Sequence, residues 1–460
     1  MRKKACDMNR NQAGSLSLWA ISWPIFIESA LQVLLRTTDT LMLSKVSDEA
    51  VASVGVSNQI IMFALLTFNF IALGSTVVVT QYLGSRRTGE IEKIVASSLG
   101  VNFIFGLLMS VVVVLLGGKL LHIFNLGPGL FDMARTYLLI TGGALVIQAL
   151  NTVTVAIIQS HGLTRHTMMV AVGMNLLHVF GNYLFIFGPM GFPKLGVTGV
   201  AISTNVSQLI GLAINLFILV RVVRVPVRWF NLIHWDRELV SKVLQVGIPS
   251  SAVNLSYNIS QIVITSFITS LGPMMLTTKI YTQNISFIIM IIAVSIGRGI
   301  QIIVGHLIGA GEREEAYKQV LRNLFRSMLI TLAAVAVIII FRFPMLEMFT
   351  ESKEIIKMGS ALLLLGFLLE PGRNFNIIFE RSLQAAGDAR FAMKSAILIM
   401  WLFSMPLMYL LGIHLGYGLY GIWAGFIIDE WVRGLVLYMR WRSRAWEHKA
   451  LMPCAEEVSV

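Results

Sequence analysis

Apolar stretches of twenty or more residues follow one another along this chain with little between them, and nothing else in it restricts the fold so strongly. Each stretch is long enough to cross roughly 30 Å of hydrocarbon as a helix, and core helices of water-soluble proteins seldom run so long. Of the 460 residues, 56% are hydrophobic and 13% charged, too few charges for the surface of a soluble domain of this size. Hydropathy and turn signals place spans near 16–43, 51–83, 95–118, 134–158, 167–188, 197–220, 243–270, 276–308, 323–346, 357–386, 392–412 and 417–438. The expected fold is therefore an all-α membrane protein of twelve transmembrane helices, with the lipid bilayer as its solvent.

The net charge of +12 does not point to nucleic acid, because Lys and Arg sit in short loops between spans and form no continuous basic face. With the N-terminus inside, 23 Lys and Arg fall in inside segments and six in outside loops, namely Lys45, Lys119, Lys194, Arg342, Lys353 and Lys357. Basic loops resist translocation, so both termini are expected in the cytoplasm of a cell whose inner (plasma) membrane holds the chain. The basic start MRKKACDMNRNQ precedes a long apolar stretch without a small-residue cleavage site and reads as a cytoplasmic tail. Cys6 and Cys454, the two cysteines, support neither a disulfide framework nor a metal–cysteine site.

Landmarks in the two halves recur at one constant offset. Pro24 matches Pro249, Gly84 matches Gly309, and Gln159, Gly162 and Arg165 match Gln384, Gly387 and Arg390, every pair at the same separation along the chain. A fourth pair, the Gly196–Gly199 and Gly418–Gly421 segments, is slightly closer, which implies a small loop deletion. Six spans per repeat is an even number, so the halves share one orientation: two parallel-repeat six-helix bundles about an axis along the membrane normal, with a central cleft. The expected domains are a tail at 1–15, an N-lobe at 16–220, a basic cytoplasmic linker at 221–242, a C-lobe at 243–438 and a cytoplasmic tail at 439–460. Parallel repeats of this kind are a transporter feature.

The run WPIFIESALQVLLRTTDTLMLSKVSDEAVASVGVSNQI resembles the first-span signature of the multidrug and toxic compound extrusion (MATE) transporters, as found in bacteria. IGRGIQIIVGHLIGAGEREEAYK resembles that family's eighth-span exit, and GNYLFIFGPMGFPKLGVTGVAISTNVSQ its fifth-to-sixth span connection. The likeness covers nearly the whole chain. It implies a twelve-helix antiporter, working as a monomer without a cofactor, that expels small organic cations such as drugs and dyes using an inward gradient of protons or sodium ions.

Asp39 falls on the aspartate of the family's first-span motif and is the leading candidate for exchanging a proton or sodium ion for a substrate cation, because an ionisable group inside a span is costly unless it faces water or a partner. The alternative is a structural pair with Arg36 at i, i+3. Glu28, eleven residues earlier, shares a helix face with Asp39 at another depth, or pairs with Arg36. Asn182 falls where the family often carries a polar residue in the N-lobe cavity, and His178, one turn away, titrates near neutral pH; either residue alternatively only satisfies a neighbouring helix. In the C-lobe, Glu370-Pro371-Gly372-Arg373 combines a helix breaker with opposite charges, which implies a cavity beside irregular backbone. The seventh span carries no carboxylate, and Arg373 stands near the acid that a resemblance to the sodium-coupled branch would imply, so Glu370 either substitutes for that acid or is tied to Arg373 as an ion pair. Lys279 and Arg298, also intramembrane, require acidic partners or a substrate range that includes anions and zwitterions.

An enzyme is not expected: no HExxH, protease-type aspartate pair or nucleophile elbow is present, His161 and His166 lack a third ligand, and no P-loop binds ATP. A competing transport reading is a flippase for a lipid-linked precursor, whose pyrophosphate calls for an excess of bases; Arg36, Lys279, Arg298 and Arg373 stand against Glu28, Asp39 and Glu370.

Overall fold

In the computed structural model the described residues are 16–225 and 235–451, and they form helices and no strand. Cys6, Cys454, the expected N-terminal tail at 1–15, residues 226–234 of the expected linker and the end of the C-terminal tail at 452–460 lie outside them. Helices α1 (Leu18–Leu43), α2 (Asp48–Gly84), α3 (Thr88–His122), α4 (Pro128–Gly143), α5 (Leu145–Ser160), α6 (Thr164–Phe187) and α7 (Val197–Arg221) occupy the first half. The second half holds α8 (Arg237–Ser270), α9 (Pro273–Gly309), α10 (Arg313–Ile340), the short α11 (Arg342–Glu347), α12 (Lys353–Ala385), α13 (Ala389–His414) and α14 (Gly418–Arg442).

Nine of the described helices are long and apolar enough to cross a membrane, and the pair α4–α5 makes a tenth crossing bent by 47°. The expected span at 134–158 is thus two helices meeting at Ala144. The break is tolerated because the Ser110 hydroxyl of α3 accepts from the Val146 amide at 3.3 Å, so a backbone donor freed at depth keeps a partner. The remaining two rods, α8 and α14, are also long enough to span but more polar, which completes the twelve. Local signals set the ends: Ser47 caps α2 by accepting from the Ala50 amide at 3.1 Å, and Gly188, at φ +67°, stops α6 in a backbone region that favours glycine.

Helix α12 corrects one expectation. It runs unbroken from Lys353 to Ala385 through Pro371 and Gly372, so the breaker opens no irregular backbone there. Gly372 instead admits the Trp431 indole of α14, which a Cβ would meet at 2.7 Å.

The chain divides into two compact units, Trp23–Ile248 and Pro249–Val460, the second also taking the chain up to Ser22. These divisions cut α1 and α8 just before Pro24 and Pro249, so the first turns of each helix pack with the unit that does not hold its remainder. Within Trp23–Ile248, α8 crosses α2 where Gly74 faces the Val243 carbonyl and Gly247 faces the Phe70 carbonyl, each so close that a Cβ would overlap it. Within the other unit, Gly299 of α9 meets Ser22 and Leu18 of α1 in the same way. Gly74 and Gly299, Ser22 and Gly247, and Leu18 and Val243 are separated by the same offset as Pro24 and Pro249, so the repeat extends to helix–helix contacts.

Candidate functional site

Asp39 lies in the stretch of α1 that follows Pro24, and its side chain is 20% exposed. Asn182 of α6 is fully buried and donates from Nδ2 to Asp39 Oδ1 at 2.8 Å. His178, one turn earlier on α6, holds Nδ1 3.7 Å from the same oxygen, while its Nε2 is 3.1 Å from the Thr204 hydroxyl of α7. That hydroxyl donates its one hydrogen to the Val200 carbonyl at 2.8 Å, so toward the imidazole its oxygen is the acceptor and Nε2 carries the donor proton. The neutral imidazole then turns the lone pair of Nδ1 toward Asp39. Two acceptors facing each other are comfortable only when one further proton lies between them. Tyr137 of α4, also buried, stands beside Thr204 and near Asp39.

Three of the sequence candidates, Asp39, Asn182 and His178, are thus brought together. Arg36 is not part of the group: it is exposed and forms no ion pair among the described residues, so the ion-pair alternatives built on it do not form. Glu28 has a separate setting nearer the start of α1, where Gln159 Nε2 donates to its Oε2 at 3.0 Å and the Thr167 hydroxyl lies 3.2 Å from the same oxygen. Gln384, the repeat counterpart of Gln159, likewise donates to a carboxylate, Glu380, at 2.8 Å.

An apolar groove of about 510 Å³ runs between α1 and α6, lined by Leu34, Leu35, Met42, Leu176, Phe180 and Tyr183 among others; Asp39 itself is not in its lining, but its chain neighbour Thr38 is. One turn beyond Asn182 along α6, a second cavity of about 650 Å³ is bordered by Lys45, Asp132 and Lys194.

In the second unit, Glu370 and Arg373 are joined: Arg373 Nη1 is 2.8 and 2.9 Å from the two Glu370 oxygens. The pair belongs to a larger network that sequence reasoning missed. Arg373 also reaches Glu430 of α14 at 3.3 Å, Arg433 holds Asp429 at 2.5 Å and Glu430 at 3.1 Å, Asn376 donates to Glu430 at 2.8 Å, and Ser404 to Asp429 at 2.5 Å. The signal was present in GFIIDEWVRG, three ionisable residues inside one span. Three carboxylates alternate with two guanidiniums, and nearly every member is deeply buried. Among the described residues no group of three His, Cys, Asp or Glu could hold a metal ion.

Long apolar helices in two repeat-related bundles, with a partly exposed intramembrane carboxylate beside an organic-sized groove, define a membrane transporter. The chain belongs to the MatE family, whose model matches it twice, over residues 24–184 and 249–410. It is 44% identical to an uncharacterized transporter, YisQ, of Bacillus subtilis strain 168, over 97% of this chain and 98% of that one. A probable multidrug resistance protein NorM of Thermotoga maritima is 23% identical over 94% and 93% of the two chains. Among solved structures, a MATE transporter crystallised in the bent conformation superposes with a TM-score of 0.86 at 20% identity, covering 98% of this chain and 99% of that chain.

Proposed function

We propose that this protein is a secondary active multidrug exporter of the plasma membrane, with both termini cytoplasmic, that exchanges organic cations for protons as a monomer. The observation that carries this reading is Asp39: an intramembrane carboxylate, partly exposed, held by Asn182 and next to an apolar, aromatic-lined groove of about 510 Å³. A flat hydrophobic cation buries its rings in such a groove and neutralises its charge at the carboxylate. Loading Asp39 with a proton removes that attraction, so proton and drug compete for one oxygen pair and one enters as the other leaves.

A proton is favoured over sodium by the partners of Asp39. Sodium needs several oxygen ligands, whereas the groups on Asp39 Oδ1 are an amide nitrogen donor and an imidazole nitrogen. The bare Nδ1 of His178 supplies a second seat for a proton on the same path. In the second unit the ion-paired network, not a free acid at Glu370, supports a structural role for Glu370 and Arg373.

The flippase alternative needs a surplus of bases. Arg373 and Arg433 are already engaged by Glu370, Asp429 and Glu430, which leaves neither guanidinium open to a pyrophosphate.

The test is dye efflux from everted vesicles carrying an imposed proton or sodium gradient. The expected result is ethidium movement driven by the proton gradient alone and abolished in Asp39→Asn at unchanged protein level. Sodium-driven efflux, or full activity in Asp39→Asn, overturns the mechanism.

A further inference from the structure

One deep basic group in the second unit lacks the acidic partner that others there possess. Lys279 of α9 is 6% exposed, and its Nζ donates to the Thr265 hydroxyl of α8 at 2.5 Å. Among the described residues no carboxylate reaches it. Thr265 in turn donates to the Gln261 carbonyl at 2.6 Å. By contrast Arg373 and Arg433 are saturated by three acids, and Arg440 by Asp388 at 2.7 Å. An ammonium has three donors, and one neutral hydroxyl does not offset the cost of holding its charge in a span. Two further buried acceptors nearby on α8 and α9, Gln261 Oε1 and Thr282 Oγ1, also have no partner among the described residues. The setting is therefore polar and short of hydrogen-bond partners.

Exposed side chains lie next to it along both helices. Ile262 (70% exposed) on α8 and Ile280 (45% exposed) on α9 flank the Lys279–Thr265 pair, and Thr269 and Gln283 are exposed on the same two helices. A four-carbon stem lets the ammonium swing from under this rim by rotamer change alone. In the repeat, Thr265 is the counterpart of Thr40, at the same offset that relates Pro249 to Pro24, so the lysine meets α8 one residue from the position that corresponds to Asp39.

We infer that Lys279, with Thr265, binds the carboxylate of amphiphilic substrates that carry one, zwitterions included, and so extends the substrate range beyond simple cations. This rests on the export reading for the word substrate, though not for the binding itself. A carboxylate oxygen supplies the acceptors that the ammonium lacks, in a water-poor setting where a charge-assisted hydrogen bond is strong. The same site has nothing to offer an ester.

The experiment compares binding of a fluoroquinolone, bearing a piperazinium and a carboxylate, with binding of its ethyl ester, bearing the piperazinium alone, to purified protein in lipid nanodiscs. Wild type is expected to hold the free acid roughly tenfold more tightly than the ester. Lys279→Met should erase that preference while leaving ester binding unchanged, and Lys279→Arg should retain most of it. Unchanged ester binding also reports that the variant is folded. Equal wild-type affinity for acid and ester overturns the inference, as does a Lys279→Met variant that weakens both ligands alike, which would make the lysine a strut between α8 and α9. Failure of the export reading shows elsewhere, as absence of proton-driven ethidium efflux, a cation with no carboxylate for Lys279 to bind.

Discussion

A carboxylate inside a membrane is defined by what touches it. In the proposed exchange Asp39 works through two groups, an amide that donates to it and an imidazole nitrogen whose lone pair faces it, and through its own partial exposure. Removing the amide, in Asn182→Ala, deletes a hydrogen bond to a charged group worth about 1.5–3 kcal/mol. Efflux at subsaturating dye should fall roughly tenfold or more, and a fall in efflux without a matching fall in melting temperature in detergent is the expected outcome. His178→Gln keeps a polar side chain of similar reach but cannot take up a proton. Proton-driven efflux should drop sharply in that variant, and wild-type rates would remove His178 from the proton's path. The acids and polar residues of this group were legible in the sequence because an ionisable or amide side chain in a span needs a reason. Their pairing was not: Arg36 is close to Asp39 along the chain yet exposed and without an acid among the described residues, whereas Asn182, on a different helix, makes the bond.

At the level of helices, two features set the energetics. The first is the close crossing of α2 and α8, where two glycines bring backbone against backbone. Gly74→Val or Gly247→Val must push the helices apart, and overpacking of this kind costs about 1–3 kcal/mol or more. Both variants should show lowered thermal midpoints by fluorescence-detected gel filtration. Gly299→Ala should be milder, since the atom in its way is the Ser22 hydroxyl, which can rotate, and not a carbonyl. The second feature is the chain of ion pairs from α12 to α14. Arg373→Leu leaves Glu370 and Glu430 without their shared guanidinium, and breaking a buried pair from one side costs about 3–5 kcal/mol. Glu370→Gln added to Arg373→Leu should recover part of that loss, a rescue readable as a rise in melting temperature over the single variant. Glu370 and Arg373 could be read from sequence as an i, i+3 pair. The part played by α14 could not, because Asp429 and Glu430 lie two helices further along the chain and only packing brings them alongside.

For the whole molecule, the repeat is the main organising fact, and it reaches further in space than in sequence. The prolines that mark it along the chain, Pro24 and Pro249, also mark where α1 and α8 pass from one compact unit to the other. The boundaries expected from hydropathy, at 220 and 243, follow the loops, while the compact units divide inside helices, because close glycine contacts hold the first turns of α1 and α8 to the opposite half of the sequence. Helix number, the all-α class and the twofold repetition were accessible from the residues alone, since transfer of a segment into hydrocarbon is a sum over neighbours in the chain and needs no knowledge of what packs against it. Which charge meets which, whether Pro371 breaks its helix, and that Lys279 has a hydroxyl but no described acid beside it depend on contacts between distant segments. Those are decided only when side chains compete for a limited number of partners in a medium that supplies none.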